Sequence, residues 1–232
     1  MGAIVNSITV IIMGYVGSRL NRGISERVSE RVMQAIGLAV VSIGISGAIR
    51  GGNGLIMVLS MVIGTLIGEG LDIDRWIIRI VDQVEARFMN TDSETGNEGT
   101  FKQGFITATM IFCVGSMVIV GSLESGLYGN HTTLYTKSIM DGITALMLAS
   151  SLGAGVMFSS VPILILEGSL TLLASLLQPL LTDLVITEMI SVGSIVLIAL
   201  GFNLTGLTNF KIMNFSPSIF MPIILGAIPF LQ

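Results

Sequence analysis

Charge is what this chain has least of. Only 11% of its 232 residues are Asp, Glu, Lys or Arg, 52% are hydrophobic, and the mean hydropathy is +0.88. Soluble domains carry about a quarter charged residues, so a water-facing globular fold is excluded and a polytopic membrane protein is expected. Cysteine is nearly absent. Cys113 stands alone, which excludes an intrachain disulfide and offers no thiol metal site. His131 is the only histidine and lies in a polar loop, which argues against a histidine metal site or a Ser-His relay. There is no HExxH, GxGD or P-loop pattern, so the chain is read as no enzyme, without a cofactor and without direct ATP drive. Nucleic acid is not an expected partner. The fourteen methionines are dispersed and lack Cys or His partners, so they indicate pliable packing and not copper handling. Met1-Gly2-Ala3-Ile4-Val5 lacks the basic start of a cleavable signal and is expected to open the first span.

What is there is a series of apolar runs. A span needs about 20 apolar residues, and that rule gives eight segments: 2–18, 32–49, 54–71, 104–122, 138–156, 160–181, 186–207 and 212–231. Gly153-Ala154-Gly155 and Phe158-Ser159-Ser160-Val161-Pro162 separate the fifth from the sixth and indicate a tight reversal. With the N-terminus outside, the inner loops hold Arg19, Arg22, Arg27, Arg31, Arg75, Arg79, Arg87, Lys102 and Lys211, and the outer side holds Arg50 and Lys137. The positive-inside rule therefore favours both termini outside. It fixes orientation more firmly than span count, since a seven-span reading changes the balance little. The expected location is the bacterial cytoplasmic membrane. Between the third and fourth spans, Trp76, Ile77, Ile80, Val81, Val84 and Phe88 share one helical face over 74–89, with charges opposite. A cytoplasmic interfacial helix is the simplest account. An acidic loop at 90–100 follows it.

The spans repeat. Gly2-Ala3-Ile4-Val5-Asn6-Ser7-Ile8 can be laid on Gly155-Val156-Met157-Phe158-Ser159-Ser160-Val161, residues 32–41 on 188–197, and 62–67 on 224–229. The fourth and fifth spans resemble each other at 105–111 and 142–148. The segment order is preserved and the copies run in opposite senses. The expected fold is thus all-α, with spans 1–3 and 6–8 as inverted repeats around a central antiparallel pair, a plan recurrent in secondary transporters. As one transmembrane domain (1–232), it divides into a first half (1–73), the amphipathic helix and acidic loop (74–103), a central pair (104–156) and a second half (157–232).

Four stretches carry a likeness to known proteins: Met33-Gln34-Ala35-Ile36-Gly37-Leu38-Ala39-Val40, Gly68-Glu69-Gly70-Leu71-Asp72-Ile73, Phe112-Cys113-Val114-Gly115-Ser116-Met117-Val118-Ile119-Val120-Gly121-Ser122-Leu123 and Leu177-Gln178-Pro179-Leu180-Leu181-Thr182-Asp183. Through them the chain resembles the YdfK/YqgA family of bacterial integral membrane proteins over nearly its whole length. The resemblance implies a domain of unknown function, loosely described as a possible sodium channel or pump. It supplies no settled set of functional residues. At position 167 it implies Gln more often than Glu, so an obligatory proton carrier there is not implied.

The residues themselves nominate sites. Glu167 lies mid-span in Leu164-Ile165-Leu166-Glu167-Gly168, where an ionisable group is costly and either serves an ion path or binds two helices together. It is the candidate Na⁺ or proton ligand. Asp141 follows Lys137 by one turn, as a vestibule ligand or an interfacial ion pair, and with Glu124 it would form an acidic mouth. Asn6, Ser159, Ser160 and Asn203 offer hard neutral oxygens, or interhelical hydrogen bonds. Ser116, Ser150 and Ser151, with Gly115, Gly153 and Gly155, either permit close packing or line a path between spans 4 and 5. Glu69 and Asp72 are read as surface groups. The expected function is cation-coupled secondary transport of a small ion or solute by alternating access. The alternatives are an oligomeric ion channel, or a scaffold recruiting a partner through the 74–89 helix. The expected partners are the lipid bilayer, the small ion or solute, and a second copy in a homodimer.

Overall fold

The computed structural model describes residues 1–20, 26–88 and 98–226. The acidic stretch expected at 90–100 falls largely outside the described residues, as do the end of the segment 212–231 and the side chain of Ser116. Among the described residues all regular structure is helical: α1 (Gly2–Leu20), α2 (Glu26–Ala48), α3 (Gly54–Leu71), α4 (Ile73–Phe88), α5 (Glu98–Cys113), α6 (Ser116–Tyr128), α7 (Thr132–Leu152), α8 (Gly155–Phe158), α9 (Ser160–Leu172), α10 (Ala174–Leu177), α11 (Asp183–Leu204), a 3-10 segment (Ile212–Phe220) and α12 (Met221–Leu225).

Five of these stretches are long and apolar enough to cross a membrane: α1, the Glu30–Ala48 part of α2, α3, α8 with α9, and α11. A sixth follows if the bent pair α5–α6 is one span. The count by length and apolarity is therefore five or six, not the eight expected. Two expected spans fall short for visible reasons. α7 is 21 residues long but carries Lys137 and Asp141. The last stretch is interrupted by Pro217 and Pro222, which remove backbone donors and leave a 3-10 segment followed by one short helix. The expected span 104–122 is broken by 60° between α5 and α6. At the break Gly115 adopts φ 153° and ψ 154°, a region that essentially only glycine occupies.

Local signals explain several boundaries. Asn53 caps α3, its Oδ1 accepting from the backbone N–H of Leu55 and Ile56. α3 ends at Asp72 in the left-handed conformation, φ 46°. Thr182 caps α11 through Val185 N–H. α4 forms where the amphipathic pattern placed a helix, but its apolar face is divided. Ile73 and Ile77 pack into the core and Val81 is buried, while Trp76 and Ile80 are exposed. Val84 and Phe88 have side chains outside the described residues.

Small residues set the packing, as between helices in lipid. α2 runs antiparallel to α11: a Cβ on Gly37 would sit 2.8 Å from the Gly201 carbonyl oxygen, and one on Gly201 2.7 Å from that of Gly37. Further along the same pair, Gly44 meets Ser194 and Gly51 meets Ser191. α3 runs antiparallel to the 3-10 segment, with Gly64 against the Ser218 backbone and Gly68 against that of Asn214. α1 is antiparallel to α8 and α9, Asn6 facing Glu167 on α9 and Gly14 facing Met157 on α8. α1 is parallel to α7, Gly2 lying on Leu134 and Gly17 on Ala149. The central helix is α11, whose apolar window is 61% buried, against 33% or less for the other four. One core, including Val10, Phe112, Ala149 and Ile163, lies where α1, α5, α7, α8 and α9 meet. Ile4, Ile8, Ile12 on α1 and Leu66 on α3 are exposed, as lipid-facing aliphatics would be.

Candidate functional site

Beside that core α1, α7 and α9 bring four polar side chains together. Asn6 Nδ2 donates to Asp141 Oδ2 at 3.0 Å and to Glu167 Oε1 at 2.8 Å. The Lys137 ammonium pairs with Asp141 Oδ2 and lies 3.4 Å from Glu167 Oε1. The four are 0% (Asn6), 5% (Lys137), 8% (Asp141) and 1% (Glu167) exposed. Each element presents its member for a local reason. Lys137 and Asp141 are one turn apart on the face of α7 that packs on α1. Ser160, Ile163 and Glu167 form the buried stripe of α9 at i, i+3, i+7. Asn6 and Ser7 begin the buried stripe of α1 that continues through Val10, Gly14 and Gly17.

The cluster is incompletely satisfied. With all three ionised, Lys137 supplies one positive charge and the two carboxylates two negative ones. Both hydrogens of the Asn6 amide are engaged. Glu167 Oε2, Asn6 Oδ1 and the neighbouring Ser7 Oγ have no partner among the described residues. Buried acceptors normally have partners, so a site with two free oxygens and one excess negative charge is suited to a proton or a hard cation. No group of three His, Cys, Asp or Glu side chains capable of holding a metal occurs among the described residues. Any cation here would rely on amide and hydroxyl oxygens as well as carboxylates.

Of the residues nominated by sequence, Asn6, Asp141 and Glu167 meet. Ser160 shares the stripe of Glu167. Ser159 is buried and donates to the Val156 carbonyl. Ser150 is bonded back to Met147, and Ser151 is buried near the end of α7. Asn203 is not in the cluster. Its amide closes the turn after α11, accepting from Thr208 and from Phe210 N–H and donating to the Phe210 carbonyl. The acidic mouth does not form: Asp141 turns inward, and Glu124 accepts from Thr133 at 2.6 Å.

Sequence reasoning missed three features. Glu188 is fully buried on α11, its Oε1 accepting from Gly52 N–H at 2.7 Å and Asn53 N–H at 2.8 Å. It thereby holds the start of α3, where a carboxylate complements the helix dipole. Its signal was the same as that of Glu167, an acid inside an apolar run. At the other end of α3, Asn214 donates to Glu69 Oε2 at 2.6 Å and accepts from Asp74 N–H at 2.7 Å. Lys211 pairs with Glu69 at 3.1 Å, and the hydrogen bond to Glu69 holds its ammonium above the ordinary lysine range. Burial pushes the Asp74 carboxyl up. Third, a cavity of about 230 Å³ lies at the α5–α6 bend, lined by Cys113, Gly115, Pro162, Leu166, Met189 and Met213 among others.

Known proteins share this chain's plan over almost its entire length. The description "Protein of unknown function (DUF554)" covers residues 1–227. The chain belongs to the DUF554 family. The uncharacterized membrane protein YdfK of Bacillus subtilis (strain 168) is 28% identical over 225 residues, 95% of this chain and 93% of its own. The uncharacterized protein YqgA of Escherichia coli (strain K12) is 29% identical over 227 residues, 98% of this chain and 96% of its own. No solved structure matches. The resemblance read from the four sequence stretches therefore holds. Its several long apolar helices make this a multi-pass membrane protein, in keeping with the membrane protein YdfK that it resembles.

Proposed function

We propose that the chain is a cation-coupled secondary transporter of the bacterial cytoplasmic membrane, with the Asn6–Lys137–Asp141–Glu167 cluster as its ion site. The observation that carries this is the cluster: four buried polar groups from three helices, with one excess negative charge and two free oxygens. Buried Glu188 also has an unpartnered oxygen, Oε2, so what sets this cluster apart is the pairing of free oxygens with two carboxylates around one ammonium. Ionisable groups inside a membrane mark ion paths more often than not.

The packing registers support the inverted-repeat reading. A two-fold axis in the membrane plane makes span 1 antiparallel to span 6, span 2 to span 7 and span 3 to span 8. The contacts of α1 with α9, α2 with α11 and α3 with the 3-10 segment run in those senses. Asn6 and Ser159, equated by the first repeat alignment, are both fully buried. In this reading all eight segments cross, with both termini outside. α7 crosses because its charges face α1 and α9 instead of lipid, and α5–α6 crosses as a broken span. The two halves rock against each other about the site, and Glu167, with Asn6, binds the coupling ion.

The test is ion flux in proteoliposomes under imposed Na⁺ and proton gradients. Wild type is expected to show gradient-driven flux that Glu167→Gln abolishes. Flux that persists undiminished in Glu167→Gln would assign that carboxylate a structural role only.

A further inference from the structure

The cluster has a feature that the transport reading leaves unused: a resident ammonium touching both carboxylates. We propose that Lys137 fixes the valence of the ion the site takes, so that wild type accepts one singly charged cation and rejects divalent ones. The inference rests on the cation-coupled reading above and narrows its substrate class.

The argument is a charge count in a buried site. With both carboxylates ionised, Lys137, Asp141 and Glu167 sum to one negative charge. Among the described residues nothing nearby changes that sum. α1 and α8 bring no charged side chain to it. Glu124 on α6 is occupied by Thr133, and Lys102 on α5 pairs with Asp82 at the far end of that helix. A singly charged ion at Glu167 Oε2 and Asn6 Oδ1, both unpartnered and buried, leaves the site neutral. A doubly charged ion leaves it with an uncompensated positive charge away from water, which is strongly disfavoured. Without Lys137 the count is reversed: the site carries two negative charges, and only a divalent ion neutralises it. The ligand set agrees, since Ca²⁺ seeks six to eight oxygens and this site offers few free ones. Lys137 is thus a specificity-determining residue, acting through charge and not by touching the ion.

The experiment measures thermal unfolding of the purified full chain in detergent against Na⁺, K⁺, Mg²⁺ and Ca²⁺, and radioactive Na⁺ uptake in proteoliposomes with Ca²⁺ as competitor. Wild type should be stabilised by Na⁺ or K⁺, with Ca²⁺ a poor competitor. In Lys137→Gln the apparent affinity for Ca²⁺ should rise at least about tenfold, because a unit charge a few ångströms away in a partly buried site is worth more than that. Lys137→Arg should keep the monovalent preference. The double variant Lys137→Gln/Asp141→Asn restores one negative charge and should restore the preference as well, which a role in shape alone would not produce. An unchanged ion preference in folded Lys137→Gln, or a Ca²⁺ preference in Lys137→Arg or the double variant, overturns the proposal. If Lys137→Gln does not fold, the other two variants still decide it. No response of wild type to any of the four ions, together with no flux under a proton gradient, would instead overturn the cation-coupled reading, and this assignment with it.

Discussion

Replacing Asn6 by Leu keeps nearly the same volume and removes both donors that hold the two carboxylates together. The bonds to Asp141 and Glu167 are 3.0 and 2.8 Å long and fully buried. Neutral hydrogen bonds between membrane helices average about 0.6 kcal/mol and reach about 1.7. Bonds to an ionised acceptor are roughly twice as strong as neutral ones. Two such bonds at the average value put the expected loss at about 2–3 kcal/mol, rising to about 7 kcal/mol if both reach the maximum. The first figure matches the cost of stranding a buried acceptor, about 1–3 kcal/mol. Reversible unfolding in mixed micelles, followed by circular dichroism, measures it. Ser7→Ala is the internal control. Ser7 is the adjacent residue and is equally interior, at 5% exposed, but its hydroxyl has no partner among the described residues. Its loss removes no hydrogen bond among those residues and should not lower stability by more than about 0.5 kcal/mol. If Asn6→Leu falls within the same margin as Ser7→Ala, the hydrogen bonds of Asn6 do not hold the cluster, and the reasoning from geometry to energy fails.

Four further outcomes are expected. Gly115→Ala forces a side chain into a backbone region reserved for glycine and should cost about 1–3 kcal/mol. Gly168→Ala on α9, where a Cβ meets nothing within 4 Å, should be neutral or stabilising by up to about 1 kcal/mol in the same unfolding assay. Glu188→Gln weakens the charged acceptor for Gly52 and Asn53 N–H and should destabilise by about 1–3 kcal/mol. An unchanged unfolding midpoint would deny that this carboxylate anchors α3. The Lys211 clasp should respond to alkali. Its folded-state value is raised by Glu69, so its contribution is full at neutral pH and is lost as pH rises through that raised value. Trp76, the only tryptophan, reports on the adjoining α4: its emission should shift as wild type is taken through that pH, whereas Lys211→Ala should show the shifted emission already at neutral pH and no such transition. Identical profiles would detach Lys211 from the seating of α4.

The sequence revealed individual residues better than their meetings. α3 coincides with the run 54–71 because Asn53 and Asp72 bracket it with a cap and a left-handed stop. α4 was legible from its amphipathic period. Asn6, Asp141 and Glu167 each stood out as polar groups in apolar runs. Their convergence was not legible, since they lie 135 and 161 residues apart and a helical period says nothing of which helices touch. Lys137 was visible only as the neighbour of Asp141. Its burial depends on α7 lying parallel against α1, a relation fixed by Gly2 and Gly17 in one helix and their partners in the other. Asn203 misled for a physical reason. A polar residue near the end of an apolar run is as useful to the turn that follows as to a ligand, and here the turn takes the amide oxygen and one N–H. The elbow at Gly115 was hidden in a patch of small residues, because composition does not distinguish a close contact from a break.

The central claim is that the buried cluster moves a cation across the membrane in a coupled cycle. Its most direct test is charge displacement on solid-supported membranes after a jump in Na⁺ or proton concentration, with wild type beside Glu167→Gln and Asn6→Leu. The account predicts a transient, saturable current in wild type that both variants reduce severely. A sustained current that does not saturate, or one unaltered by either substitution, would contradict it.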